Sequence, residues 1–163
     1  MNGFPRLVFV GLGSNLGRPE QQLRAALTRL ALIPETVLSA VSRFYRTSPW
    51  GVVDQPPFIN AVAELRSALP PQALLDALLA IERDAGRERR ERWGPRVLDL
   101  DLLWYDGLRI ERPGLTVPHP HAHERGFVLR PWAELAPDLP LGDHGTVGDL
   151  AARVDCSSVE PLA

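Results

Sequence analysis

The chain has 163 residues, 45% of them hydrophobic and 23% charged, the composition of one folded domain with a core of its own. Its formal net charge of -2 gives no general attraction to nucleic acid or to an anionic membrane. All 18 basic residues are arginine, which excludes chemistry that needs a lysine amine, the Gly-Lys phosphate loop included.

Residues 7–12 are a short apolar run ending at Gly11-Leu12-Gly13 and predict a central strand. Pro19 stands where a first helical residue is favoured. Leu23, Ala26, Leu27 and Leu30 follow at helical spacing, and Pro34 ends the helix. Residues 37–45 and 58–65 predict two more strands. In the later one Ile59, Ala61, Ala63 and Leu65 share a face and Asn60 takes the other. The Pro- and Gly-rich stretch between them predicts a loop. Pro70-Pro71 opens a second helix carrying Leu74, Leu75, Leu78, Leu79 and Ile81, which ends before Gly86. An arginine-rich loop leads into a fourth strand over residues 97–105, and Asp106-Gly107 predicts a turn into residues 108–110. Short helices are expected over 123–135 and 146–154, the latter with Thr146 and Asp149 placed as a capping box.

The order β-α-β-β-α-β predicts an α+β, ferredoxin-like antiparallel sheet with two helices packed on one face and a C-terminal extension. We expect a single domain over residues 1–163. The lone Cys156 cannot form an intrachain disulfide and fits a reducing compartment. With no signal-like leader and no apolar run near the ~20 residues of a membrane span, a cytoplasmic location is expected.

The sharpest chemical signal is Asp99-Leu100-Asp101. Strand side chains alternate, so the two carboxylates point the same way, and Leu98, Leu100, Leu102 and Trp104 are expected in the core behind them. Adjacent carboxylates raise each other's pKa unless a cation lies between them, and a hard ion such as Mg²⁺ suits the pair. The alternative is a solvated face with Asp99 paired to an arginine. Arg87, Arg89, Arg90, Arg92 and Arg96 lie on the loop that delivers the chain into this strand. Such a run also reads as solvated surface or a nucleic-acid patch. Beside two metal-binding carboxylates it suits polyphosphate, because arginine forks grip phosphate oxygens while metal bridges the others.

Gly11-Leu12-Gly13-Ser14-Asn15-Leu16-Gly17 is off the dinucleotide-binding spacing by one residue, and a tight strand-to-helix turn accounts for its glycines better. Pro118-His119-Pro120-His121-Ala122-His123 lacks the Cys or Glu companions of a zinc site. His119, fixed between prolines, is better placed as a hydrogen-bond donor to a ligand. Phe58, Trp93 and Phe127 are candidates to pack on a planar ligand or to fill the core.

Assembled, these residues resemble the 6-hydroxymethyl-7,8-dihydropterin pyrophosphokinase family. The matching stretches are Gly11-Leu12-Gly13-Ser14-Asn15-Leu16, Ser42-Arg43-Phe44-Tyr45-Arg46-Thr47, Asp54-Gln55-Pro56 through Phe58-Ile59-Asn60-Ala61, and Glu91-Arg92-Trp93-Gly94-Pro95-Arg96 running into Leu98-Asp99-Leu100-Asp101. Leu115-Thr116-Val117-Pro118-His119-Pro120 and Arg125-Gly126-Phe127-Val128-Leu129 complete the set.

The resemblance implies a ferredoxin-like fold and transfer of pyrophosphate from ATP to the pterin hydroxymethyl oxygen, releasing AMP, in folate biosynthesis. It implies that Asp99 and Asp101 hold two Mg²⁺ ions and that Arg87 and Arg96 act at the reacting phosphates. Arg89, Arg92, Arg96, Leu102, Thr116, His119 and Arg125 would contact ATP. Thr47, Ser48, Trp50, Phe58, Asn60, Trp93 and Phe127 would hold the pterin. The implied partners are these two substrates, with no nucleic acid or membrane, acting on a monomer. Two other readings remain beside it. One is a metal-dependent nucleotidyl or glycosyl transferase using Asp99 and Asp101. The other is a ferredoxin-like RNA-binding module using the arginine loop.

Overall fold

A computed structural model describes residues 5–47, 56–86 and 97–162. Strand β1 (Arg6–Ser14) leads to helix α1 (Pro19–Ala31), then β2 (Thr36–Val41), β3 (Tyr45–Thr47) and the long β4 (Phe58–Ser67). Helix α2 (Pro71–Asp84) precedes β5 (Asp99–Tyr105) and a small hairpin of β6 (Ile110–Arg112) and β7 (Leu115–Val117). Helices α3 (Gly126–Leu135) and α4 (Val147–Arg153) and a last strand, β8 (Val159–Pro161), finish the described chain.

The main sheet is antiparallel and runs β5-β1-β4-β3-β8, with β2 pairing β4 beside β3. Alternation along β1 divides the core. Val8, Val10 and Leu12 face one side and join Leu23, Leu30, Leu74 and Leu78 of α1 and α2. Phe9 faces the other and packs with Val128, Leu129 and Trp132 of α3 and Leu150 of α4. The expected pair of helices therefore occupies one face, while the C-terminal extension covers part of the other. Thr146 caps α4 as expected, its hydroxyl accepting from Asp149 N–H at 3.1 Å.

Three expectations need correcting. The second strand is not continuous over 37–45. At the break the Ser42 hydroxyl, rather than a backbone carbonyl, accepts the Val62 N–H at 2.9 Å, so a side chain carries the ladder from β2 to β3. The fourth strand does not keep Trp104 with Leu98, Leu100 and Leu102. The pairing with β1 shifts between Phe9 and Val10, so Leu103 is an extra residue and Trp104 turns onto the α3 side with it. Finally, Gly11 and Gly13 lie inside β1 rather than in a turn, and the positive backbone angle belongs to Gly17, at φ 66°.

Candidate active site

The end of the sheet face left uncovered by α3 and α4 is a cavity of about 770 Å³. Its floor follows from register. Asp99 pairs with Gly13 and Asp101 with Gly11 across β5 and β1, and Gly13 pairs in turn with Asn60 on β4. Asn60 pairs with Tyr45 on β3, two residues before Thr47. Asp99, Asp101, Asn60 and Thr47 all line the cavity. The two aspartates are partly buried, whereas Asn60 is only 7% exposed.

The glycines make this floor possible. A methyl group on Gly13 would stand 2.8 Å from Asn60 Nδ2, closer than atoms pack. With only hydrogen there, the Asn60 side chain lies over β1 and its Nδ2 reaches Leu12 O in a long 3.5 Å bond. Asn60 Oδ1 and Thr47 Oγ1 are buried with no hydrogen-bond partner among the described residues. Two such atoms in one cavity suit hydrogen-bonding groups of a polar ligand.

The wall opposite comes from the start of α3 and the turn before it. His119, Arg125 and Phe127 line the cavity, with the Arg125 guanidinium carbon 5.8 Å from the centre of the Phe127 ring. His119 Nδ1 accepts the His121 backbone N–H at 3.2 Å, which leaves the ring proton on Nε2. Burial, helped by the charges of Arg125 and His121, pushes the His119 pKa down to about 4, so the ring is neutral near pH 7. Phe58, at the start of β4, closes one side.

The remaining candidates fall elsewhere. Leu102 is buried in the core with α1 and α2, so only its backbone is available to a ligand. Thr116 is exposed on β7 and does not line the cavity. Ser48, Trp50, Arg87, Arg89, Arg90, Arg92, Trp93 and Arg96 lie outside the described residues.

Sequence reasoning missed two features. Val154, Asp155, Ser158 and Val159 form a further wall, and Val159 sits there because β8 pairs with β3, opposite Thr47. A three-residue strand leaves no periodic signal. The second is an anchor for β3. Glu134 of α3 accepts the Arg43 backbone N–H and the Arg43 Nε–H, each at 2.8 Å, and the Tyr45 hydroxyl.

Comparison with known proteins accounts for this arrangement. Residues 9–137 match the family model described as 7,8-dihydro-6-hydroxymethylpterin-pyrophosphokinase. A 2-amino-4-hydroxy-6-hydroxymethyldihydropteridine pyrophosphokinase of Pseudomonas aeruginosa is 49% identical over 155 residues, covering 95% of this chain and 96% of that one. One from Methylorubrum extorquens is 44% identical over 152 residues, covering 93% and 96%. Among solved structures, an HPPK-DHPS in complex with substrates superposes with TM-score 0.75 at 10% identity, over 98% of this chain and 47% of the other. A Plasmodium falciparum HPPK-DHPS with pteroate gives 0.69 at 12% identity, over 91% and 43%. This chain thus spans less than half the length of those two proteins, and the likeness to them concerns the fold. The sequence matches decide the family: the chain belongs to the 7,8-dihydro-6-hydroxymethylpterin-pyrophosphokinases.

Proposed function

We propose that this cavity is where the chain transfers the pyrophosphoryl group of ATP to the hydroxymethyl oxygen of 6-hydroxymethyl-7,8-dihydropterin, a step of folate biosynthesis. In the reaction the pterin oxygen bonds to the β-phosphorus and loses its proton. The bond from that phosphorus to the α,β-bridging oxygen breaks, and AMP leaves with the oxygen. One observation carries the placement. Asp99 and Asp101 share a cavity with two buried polar atoms, Asn60 Oδ1 and Thr47 Oγ1, that lack partners among the described residues.

In this reading the pterin edge supplies those partners, its ring N–H and amino groups donating to Asn60 Oδ1 and Thr47 Oγ1. Phe127 and Phe58 offer ring faces and edges to the flat heterocycle. Asp99 and Asp101 fit magnesium, which takes one or two carboxylates and fills its other positions with phosphate oxygens and water. Bound there as two ions, it would neutralise the triphosphate and the charge that develops on transfer. The His119 Nε2–H donates to the nucleotide without adding charge, and Arg125 lies beside it. Arg87, Arg89, Arg92 and Arg96 would grip the phosphates, while Ser48, Trp50 and Trp93 would complete the pterin contacts. Leu102 would serve through its backbone and Thr116 at the nucleotide's outer side.

The strand order β5-β1-β4 followed by β2 and β3 supports a ferredoxin-like unit whose second strand is broken in two. We take the chain as a cytoplasmic single-domain monomer. The test is AMP release from ATP and Mg²⁺, with and without the reduced pterin, for wild type and Asp101→Ala. Pterin-dependent AMP should fall by about 10³-fold or more in the variant, the scale of losing a group that stabilises transition-state charge. A folded Asp101→Ala protein with near wild-type AMP release would remove Asp101 from the site.

A further inference from the structure

Helix α2 buries one face, and that face is not wholly apolar. Leu74, Leu78 and Glu82 follow at intervals of four, so Glu82 continues the stripe that packs on the sheet, and it is only 4% exposed. A carboxylate is costly at such a position unless its oxygens are hydrogen-bonded. Its Oε2 accepts the backbone N–H of Leu100 at 2.7 Å. Leu100 is the residue between Asp99 and Asp101.

The geometry of an antiparallel ladder explains why that N–H is available. Successive residues of a strand direct their backbone groups to alternate edges. The Leu100 N–H points away from β1, since Glu82 takes it. Asp99 and Asp101, paired with Gly13 and Gly11, therefore direct theirs inward to β1. Among the described residues the main sheet pairs β5 with β1 alone, and the other edge of β5 is met by other elements. Glu82 does so at Leu100, and His119 N–H does so at Leu103 O, at 2.9 Å. The segment carrying both carboxylates is thus held from two sides, by the ladder to β1 and by the Glu82 side chain on α2. The bulge at Leu103 makes the second tether matter more, because the ladder loses its regular register after Leu102, one residue past Asp101.

We propose that Glu82 is a positioning residue for the divalent-cation site. By fixing the Leu100 peptide it holds Asp99 and Asp101 side by side at the spacing a cation needs. This rests on the reading of Asp99 and Asp101 as cation ligands. Residues that orient metal ligands typically change cation affinity by about 10- to 100-fold when lost.

The test uses the whole chain, with Mn²⁺ as a paramagnetic stand-in for Mg²⁺ and a non-hydrolysable ATP analogue present. Cation affinity is read by electron paramagnetic resonance, and pterin affinity by calorimetry without metal. Glu82→Asp keeps the charge but draws the carboxylate back by one methylene, whereas Glu82→Gln keeps the reach and an acceptor oxygen. We expect Mn²⁺ affinity to fall about tenfold in Glu82→Asp and to stay within about threefold of wild type in Glu82→Gln, with pterin affinity unchanged in both. Wild-type Mn²⁺ affinity in Glu82→Asp overturns the proposal. So does an equal loss in both variants, or a parallel loss of pterin affinity, which marks general damage to the fold. Asp101→Ala is measured alongside. If it binds Mn²⁺ like wild type, the cation-ligand reading itself has failed, whatever the Glu82 variants do.

Discussion

Gly13 and Asn60 are cross-strand partners, and Gly13 is the residue that leaves room for the Asn60 side chain to lie over β1. Gly13→Ala puts a methyl group 2.8 Å from Asn60 Nδ2 and forces that amide out of position. Pterin affinity should fall about tenfold or more, and the crowding should cost about 1–2 kcal/mol of stability. Asn60→Ala alone should weaken pterin binding by about 10- to 100-fold, as loss of a buried hydrogen-bond pair does. The two effects should not add, because Gly13→Ala acts by displacing Asn60. Made in an Asn60→Ala background, Gly13→Ala should change pterin affinity by less than about threefold. A double-mutant cycle by calorimetry checks this, and fully additive losses would refute the link.

This pair also shows what could be read in the sequence and what could not. The alternation of Ile59, Ala61, Ala63 and Leu65 put Asn60 on the opposite face, and the structure agrees. The same alternation put Asp99 and Asp101 on one face, and both line the cavity. Those facts are local to one strand. The role of Gly13 depends on which residue of a strand nearly fifty positions away lies opposite, and spacing within β1 carries no such information. Hence its glycines read as a turn. The misplacement of Trp104 has the same origin, since a bulge is set by the pairing of two strands. Glu82 did leave a trace, a charged residue four positions after Leu78 on an apolar stripe. Its partner is a backbone N–H, which no sequence pattern reports.

Glu134 should stabilise the protein only where it is ionised. Burial pushes its carboxyl up, but the hydrogen bonds from the Tyr45 hydroxyl, the Arg43 N–H and the Arg43 guanidinium outweigh that and hold it below the ordinary carboxylate range. A carboxylate lowered in the folded state adds stability above its unfolded pKa of about 4.5 and loses it as pH falls through the lower folded value. Glu134→Gln should therefore cost about 1–3 kcal/mol at pH 7, with a gap to wild type that narrows below about pH 4.5. Urea unfolding at pH 7 and pH 4 measures it. A gap of constant size would mean that the charge of Glu134 contributes nothing.

Val159 is 2% exposed, pairs with Thr47 and lines the cavity from the C-terminal side. Val159→Ala removes two buried methyl carbons and leaves a small void, a loss of about 2 kcal/mol. Because β8 backs the strand that carries Thr47, pterin affinity should drop a few-fold, by about 1 kcal/mol or less, while nucleotide affinity is unaffected. Calorimetric titration with each ligand separately tests the split. Equal weakening of both would show that β8 supports the fold alone.

His119 gives the protein a second pH term of the same sign, set over a higher window. Its folded pKa of about 4 lies below the ordinary 6.5 of an unfolded histidine. Between those values the unfolded chain binds more protons than the folded one, so stability falls as pH falls from about 6.5 to 4 and is flat above. The gap of about 2.5 units sets an upper limit near 3 kcal/mol, and the ring's partial exposure brings the observed figure below it. His119→Gln removes the titration while keeping a side-chain N–H, so its stability should decline less steeply across that window than wild type. The same variant should bind the ATP analogue within about threefold of wild type, whereas His119→Ala, with no donor, should lose about tenfold. Urea unfolding at half-unit steps from pH 4 to 7 decides the first point. Parallel profiles for wild type and His119→Gln would mean that the ring is not held neutral by its surroundings, and equal nucleotide affinity in all three proteins would take its Nε2–H out of ATP binding.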